Sequence, residues 1–167
     1  MLTLKYISNY PQNVIDQVLK LLEQKDLANY LLNKYPTTHQ FVNDKSLREY
    51  AVSIKNQYIK KSSPLSQVIY DPKIHVINNA LGLHTFVSRV QGNKLKSKNE
   101  IRISDKFRNA PEAFLKMIVV HELAHLKEKD HNKAFYRLCC HMLSDYHQLE
   151  LDMRLYLTQL ALNGDIY

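Results

Sequence analysis

Glycine is scarce in this chain. Only Gly82, Gly92 and Gly164 occur among 167 residues. Glycine-rich phosphate cradles of the P-loop or dinucleotide-binding kind are therefore excluded, because each needs several glycines within a few residues for the backbone to wrap an anion. Cysteine is equally sparse. Cys139 and Cys140 are adjacent, and neighbouring cysteines seldom bridge each other because the geometry is strained. With no disulfide framework on offer, a reducing compartment suits the chain. No apolar run approaches the ~18 residues of a membrane span. The first ten residues lack the basic start and long apolar stretch of a signal peptide. The expectation is a cytoplasmic protein with no membrane partner.

What is present is a globular balance: 45% apolar and 23% charged residues, in a length that suits one domain with a real core. Basic residues number 23 against 16 acidic, a net charge of +7. Such a charge favours solubility and permits attraction to nucleic acid, nucleotides or acidic protein surfaces. The densest basic stretch, 92–108, carries Lys94, Lys96, Lys98, Arg102, Lys106 and Arg108 against Glu100 and Asp105. Its alternating lysines read as a solvated loop; the sharper reading makes Lys94, Lys96, Lys98 and Arg102 an anion-binding set.

Patterning divides the chain into three stretches of one domain, 1–167. Residues 1–62 read as a helical N-terminal extension. Asn9 and Pro11 mark a helix start. Val14, Val18, Leu21 and Leu22 form a stripe at helical spacing. A second helix starts at Asp26 and stops at Pro36. A third starts near Asp44 with the stripe Leu47, Ala51, Ile54 and Tyr58. Residues 66–104 contain the runs 67–70 and 73–77, split by Asp71-Pro72, then 83–90, then the period-two segment 100–104. These predict a small, mainly antiparallel sheet of three or four strands. Pro111 opens a helix apolar around nearly its whole circumference, the mark of a helix enclosed by the rest of a domain. Helices over about 132–143 and 147–162 follow, and Gly164 is a C-terminal stop. The predicted fold is α+β, with the sheet packed on a buried helix over 66–143 and a closing helix over 145–163.

That buried helix carries His121-Glu122-Leu123-Ala124-His125. Residues i and i+4 share a helix face, about 6 Å apart along the axis. Two imidazoles so placed can grip one metal ion, and Glu122 on the flank can reach water at that ion without being a ligand. Burying these polar groups in an apolar helix is costly unless they are paired or metal-bound. His131 follows six residues on and is the expected third ligand. The competing choice is Glu150 on the C-terminal helix. Three neutral imidazoles leave a position for water, which marks a catalytic zinc site rather than a closed structural one. HExxHxxGxxH proteases share this histidine spacing, but Glu128 stands where they have a turn glycine, so the turn must be built differently. Asp130, Asp145 and Asp152 are candidates to orient a ligand histidine. His75 and His84 can line a cleft, whereas His39, His141 and His147 lack ligand spacing. Cys139 and Cys140 read as structural thiols, since no basic partner is evident.

Val119-Val120-His121-Glu122-Leu123-Ala124-His125-Leu126, followed by Asp130-His131-Asn132 and Phe135-Tyr136, resembles the YgjP-like metallopeptidase domain, related to the WLM and SprT zincins. The likeness covers roughly residues 70–145 and is strongest over 117–136. It implies a zincin-like fold with one Zn2+ held by His121, His125 and His131, and Glu122 as catalytic base. Some members of the family are described as UTP pyrophosphatases. The first reading is thus a zinc-dependent peptidase, with the sheet holding an extended peptide by strand addition. The second is a metal-dependent nucleoside triphosphate pyrophosphohydrolase, favoured by the basic stretch and disfavoured by the lack of a glycine-rich loop and of an acidic cluster. The third is a nucleic-acid-associated SprT-like protease, for which no DNA-reading motif is present. A purely structural zinc is the non-enzymatic reading.

Overall fold

The computed structural model describes the backbone of residues 4–74, 82–91 and 94–167, and the side chains of these segments apart from 82–91 and 94–98. Its elements run α1 (Gln12–Glu23), α2 (Leu27–Lys34), α3 (Asp44–Tyr58), β1 (Leu65–Asp71), β2 (Gly82–Gln91), β3 (Lys94–Ser104), a 3-10 turn (Asp105–Phe107), α4 (Glu112–Ala124), α5 (Lys133–Met142) and α6 (Tyr146–Asn163).

Helix starts follow local chemistry. Asn43 heads α3 with a reciprocal capping box: Ser46 N donates to Asn43 Oδ1 at 2.8 Å and Asn43 N donates to Ser46 Oγ at 3.3 Å. Two otherwise orphaned amides are satisfied this way. The α3 stripe Leu47, Ala51 and Ile54 is buried as its spacing predicts. Pro11 and Pro111 directly precede α1 and α4, and neither helix has a side-chain cap; Asn9 therefore does not serve as a cap. Gly164 closes α6 at φ 83°, a left-handed conformation that costs glycine little.

The sheet order is β1-β3-β2. β2 and β3 pair antiparallel from Gly82↔Ile103 to Gln91↔Lys94, in line with the strands expected over 83–90 and 100–104. β1, however, pairs parallel with β3 from Gln67↔Glu100 to Asp71↔Ser104. The predicted mainly antiparallel sheet is thus corrected to a mixed one. The reason lies at Asp71-Pro72: Lys73 N donates to Asp71 Oδ1 at 2.8 Å, a local turn that ends β1 without folding it onto the next strand. β3 then lies between β1 and β2, antiparallel to β2 and parallel to β1. Of the predicted strand 73–77, residues 73 and 74 lie in this turn and 75–77 fall outside the described residues.

α4 is the axis of the molecule. It packs against β2 and β3 on one side and α3, α5 and α6 on others. Phe114, Leu115, Met117, Ile118, Val119, Val120, Leu123 and Ala124 have no exposure at all. The larger of these side chains each contribute about 1.5–3 kcal/mol by leaving water. The all-round apolar helix read from sequence is therefore enclosed, and its last turn brings the polar residues to one position.

Candidate metal centre

α4 ends at Ala124, with His125 as its C-cap in right-handed geometry (φ −64°, ψ −14°). Leu126 N, Lys127 N and Glu128 N still donate to Leu123 O, Ala124 O and Ala124 O at 3.0–3.1 Å, which carries the chain around one more turn. No residue between His125 and His131 has a positive φ; among the described residues Lys25 is the one non-glycine that does. That explains how Glu128 can stand in place of a glycine. Its carbonyl accepts from His125 Nδ1 at 2.9 Å, and Asn132 N donates to Asp130 O at 2.9 Å. Asn132 then caps α5, its Oδ1 accepting from Phe135 N at 2.9 Å. His131 is held between this turn and this cap.

The three imidazoles converge. His131 Nε2 lies 3.2 Å from His121 Nε2 and 3.1 Å from His125 Nε2, and the three rings form a near-equilateral set with centroids 4.9–5.1 Å apart. Three nitrogens on one tetrahedral ion at 2.0–2.1 Å stand about 3.3 Å from each other. The observed spacing suits a single small divalent cation. The buried Phe135 ring forms a floor, 4.7–5.0 Å from all three histidines.

Ring protonation also fits. Glu128 O can only accept, so His125 carries its proton on Nδ1 and keeps a lone pair on Nε2. His121 Nδ1 meets Tyr146 Oη at 2.8 Å. The Tyr146 hydroxyl bonds the Cys139 thiol as well, so it can accept from His121 and donate onward. Burial first, then the charges of His125, His131 and Arg154, push the His121 pKa down to about 3. A ring kept neutral is a ring available to a metal. Burial likewise pushes the Cys139 thiol up to about 12, consistent with a structural thiol.

Glu122, one residue beyond His121, is 2% exposed. Glu150 is not drawn into the cluster: its Oε1 accepts from Arg154 Nη2 at 3.2 Å. Neither do the three expected orienting aspartates act there. Asp152 accepts from Tyr30 and Tyr35 of the α2 region, Asp145 precedes α6 without a capping bond, and Asp130 is exposed. Tyr146 and the Glu128 carbonyl hold the His121 and His125 rings instead. Sequence spacing offered no sign of either, since one is a tyrosine on another helix and the other a backbone atom. Arg102 is paired with Asp71 at 2.9 Å and Glu100 at 3.9 Å. The side chains of Lys94, Lys96, Lys98 and His84, and the whole of His75, lie outside the described part. His39 is a core residue, its ring bonded to Phe107 O at 2.7 Å and to Phe41 N at 3.0 Å. His141 packs on Tyr58 and His147 on Tyr136.

A HExxH helix enclosed beneath a mixed sheet, with a third histidine returned by a short turn, defines a zincin-like metal-dependent hydrolase. The family model for the YgjP-like metallopeptidase domain matches residues 23–155, and the chain belongs to that family. The match takes in α2, α3 and much of α6, well beyond the 70–145 segment legible by motif. The UTP pyrophosphatase of Escherichia coli (strain K12) is 58% identical over 162 residues, 97% of either chain. No solved structure matches. Membership implies a divalent metal, and the three histidines can form its site. Among the described residues no helix is long and apolar enough to cross a membrane.

Proposed function

We propose that the chain is a zinc-dependent nucleoside triphosphate pyrophosphohydrolase acting on UTP, with one ion held by His121, His125 and His131. The carrying observation is the 58% identity to a UTP pyrophosphatase across 97% of both chains, which spans every residue of the cluster. This reverses the order suggested by the HExxH motif alone. The absence of a glycine-rich loop does not count against it, because an ion on imidazoles can bind phosphate oxygens that such a loop would otherwise cradle. A cation held by these three histidines would supply Lewis-acid chemistry, making water more acidic and polarising a phosphoryl group. Glu122 takes the proton from the attacking water. The water oxygen bonds to the α-phosphorus, the bridging P–O bond breaks, and pyrophosphate leaves with the nucleotide monophosphate as the other product. Glu122 returns the proton to the product side. Tyr146 and Glu128 O keep the rings in register throughout.

The second reading is a peptidase. It is favoured by β2, which lies at the sheet edge beside α4, where an extended peptide can add as a further strand. One experiment separates them: incubate zinc-loaded protein with UTP and, in parallel, with casein. UMP and pyrophosphate are expected, with Glu122→Gln lowering kcat by about 10²–10⁴-fold. Casein cleavage lost in the same variant, with UTP untouched, makes the protein a peptidase and overturns the proposal.

A further inference from the structure

A cavity of about 220 Å³, unused by the chemistry above, is lined by Tyr6, Asn9, Tyr10, Glu150 and Arg154. Two of its residues share α6 with a partner of the histidine cluster: Glu150 and Arg154 follow Tyr146, whose hydroxyl meets His121, by about one and two helical turns. The Arg154 charge acts on His121, Glu150 acts on Tyr146 and Tyr136, and the Tyr136 ring stands 6.4 Å from that of His131. Its polar groups are held in place: Arg154 Nη2 donates to Glu150 Oε1 at 3.2 Å and Arg154 Nη1 to Tyr6 O at 3.1 Å.

The charge balance selects the ligand class. Glu150 offsets Arg154, so the cavity has little net charge, and a triphosphate tail bearing several negative charges would meet the Glu150 carboxylate. A flat, uncharged heterocycle suits it better. Two tyrosine rings offer apolar faces, Glu150 offers an acceptor, and Arg154 and Asn9 offer donors. We propose that this cavity receives the nucleobase of the substrate and reads uracil, an inference that rests on the nucleoside triphosphate reading above. Uracil presents an N3–H between two carbonyl acceptors. Glu150 takes that N–H, and Arg154 and Asn9 donate to the carbonyls. Cytosine presents a bare N3 lone pair to the same carboxylate, and an unpaired polar group of this kind is what rejects a near-isostere.

The test compares kcat/KM for UTP and CTP in the zinc-loaded wild type and in Glu150→Gln, with thermal melting to verify folding. The wild type is expected to prefer UTP by about tenfold or more. In Glu150→Gln, whose amide can donate to cytosine N3, the preference collapses towards unity, mainly through KM. Should that variant fail to fold, Asn9→Ala, at an exposed position, serves instead and is expected to raise the KM for UTP. A wild type that hydrolyses UTP and CTP alike, or an unchanged ratio in folded Glu150→Gln, or an unchanged KM in Asn9→Ala, overturns the base pocket while leaving the hydrolase standing. A wild type inert towards every nucleoside triphosphate overturns the hydrolase reading itself, and the pocket with it.

Discussion

Tyr146 shows how much a single residue beyond the motif contributes. Its hydroxyl fixes the His121 ring from a position with no exposure, and partners of this type usually account for about 10–100-fold in metal affinity. Tyr146→Phe keeps the ring and its packing but removes the acceptor. Zinc affinity, measured by competition with a chelator, is expected to fall within that range, while stability of the metal-free protein changes by about 1 kcal/mol. His39 makes a different point. Burial holds its pKa below the ordinary 6.5, so the folded ring stays neutral. The unfolded chain takes up a proton near pH 6.5 and the folded chain only at lower pH. The stability due to neutral His39 is therefore whole above that value and lost as pH falls below it. The drop in Tm between about pH 7.5 and about pH 5.5 should be smaller in His39→Asn than in the wild type; an equal drop removes His39 from the account.

At the scale of elements, a buried carboxylate ties α2 to α6 beside their apolar packing. Asp152 is fully buried and accepts from Tyr30 at 2.9 Å, Tyr35 at 2.5 Å and Gln148 at 3.2 Å, with Lys34 Nζ 2.7 Å away. Lys34 is 41% exposed, so water screens that ion pair, and the tyrosine hydroxyls carry most of the effect. Asp152→Ala strands these donors, a loss of about 2–3 kcal/mol. In a chain this long that is a fall in Tm of roughly 4–12 °C, read by thermal melting. Helices of this kind were legible beforehand. The Leu47, Ala51, Ile54 stripe and the all-apolar α4 follow from a 3.6-residue period that needs no partner to be recognised. The sheet was only half legible: period two in 100–104 identifies a strand, but not its neighbours. β1 runs parallel to β3 because of a pairing made across more than thirty residues.

For the whole molecule, the proposed ion would also be a structural tie. Held by His121 and His125 at the end of α4 and by His131 just before α5, it would join elements that a short turn otherwise connects. A ligand that binds only the folded state stabilises it by about 4 kcal/mol at a thousandfold excess over Kd. Chelation is expected to lower Tm, and His131→Ala should abolish the chelator-sensitive part. An identical melting curve with and without chelator is the result that contradicts this.

The convergence of His121, His125 and His131, with Glu122 beside them in sequence, was foreseeable in the linear chain because it lies in spacing along one helix and the turn after it, and local geometry dictates such spacing. The choice of His131 over Glu150, the orienting role of Tyr146, the engagement of Asp152 with α2 and the cavity between the N-terminal segment and α6 could be decided only by tertiary packing. Each joins residues far apart in the chain, and no local period records which distant groups a folded backbone will bring within hydrogen-bonding distance.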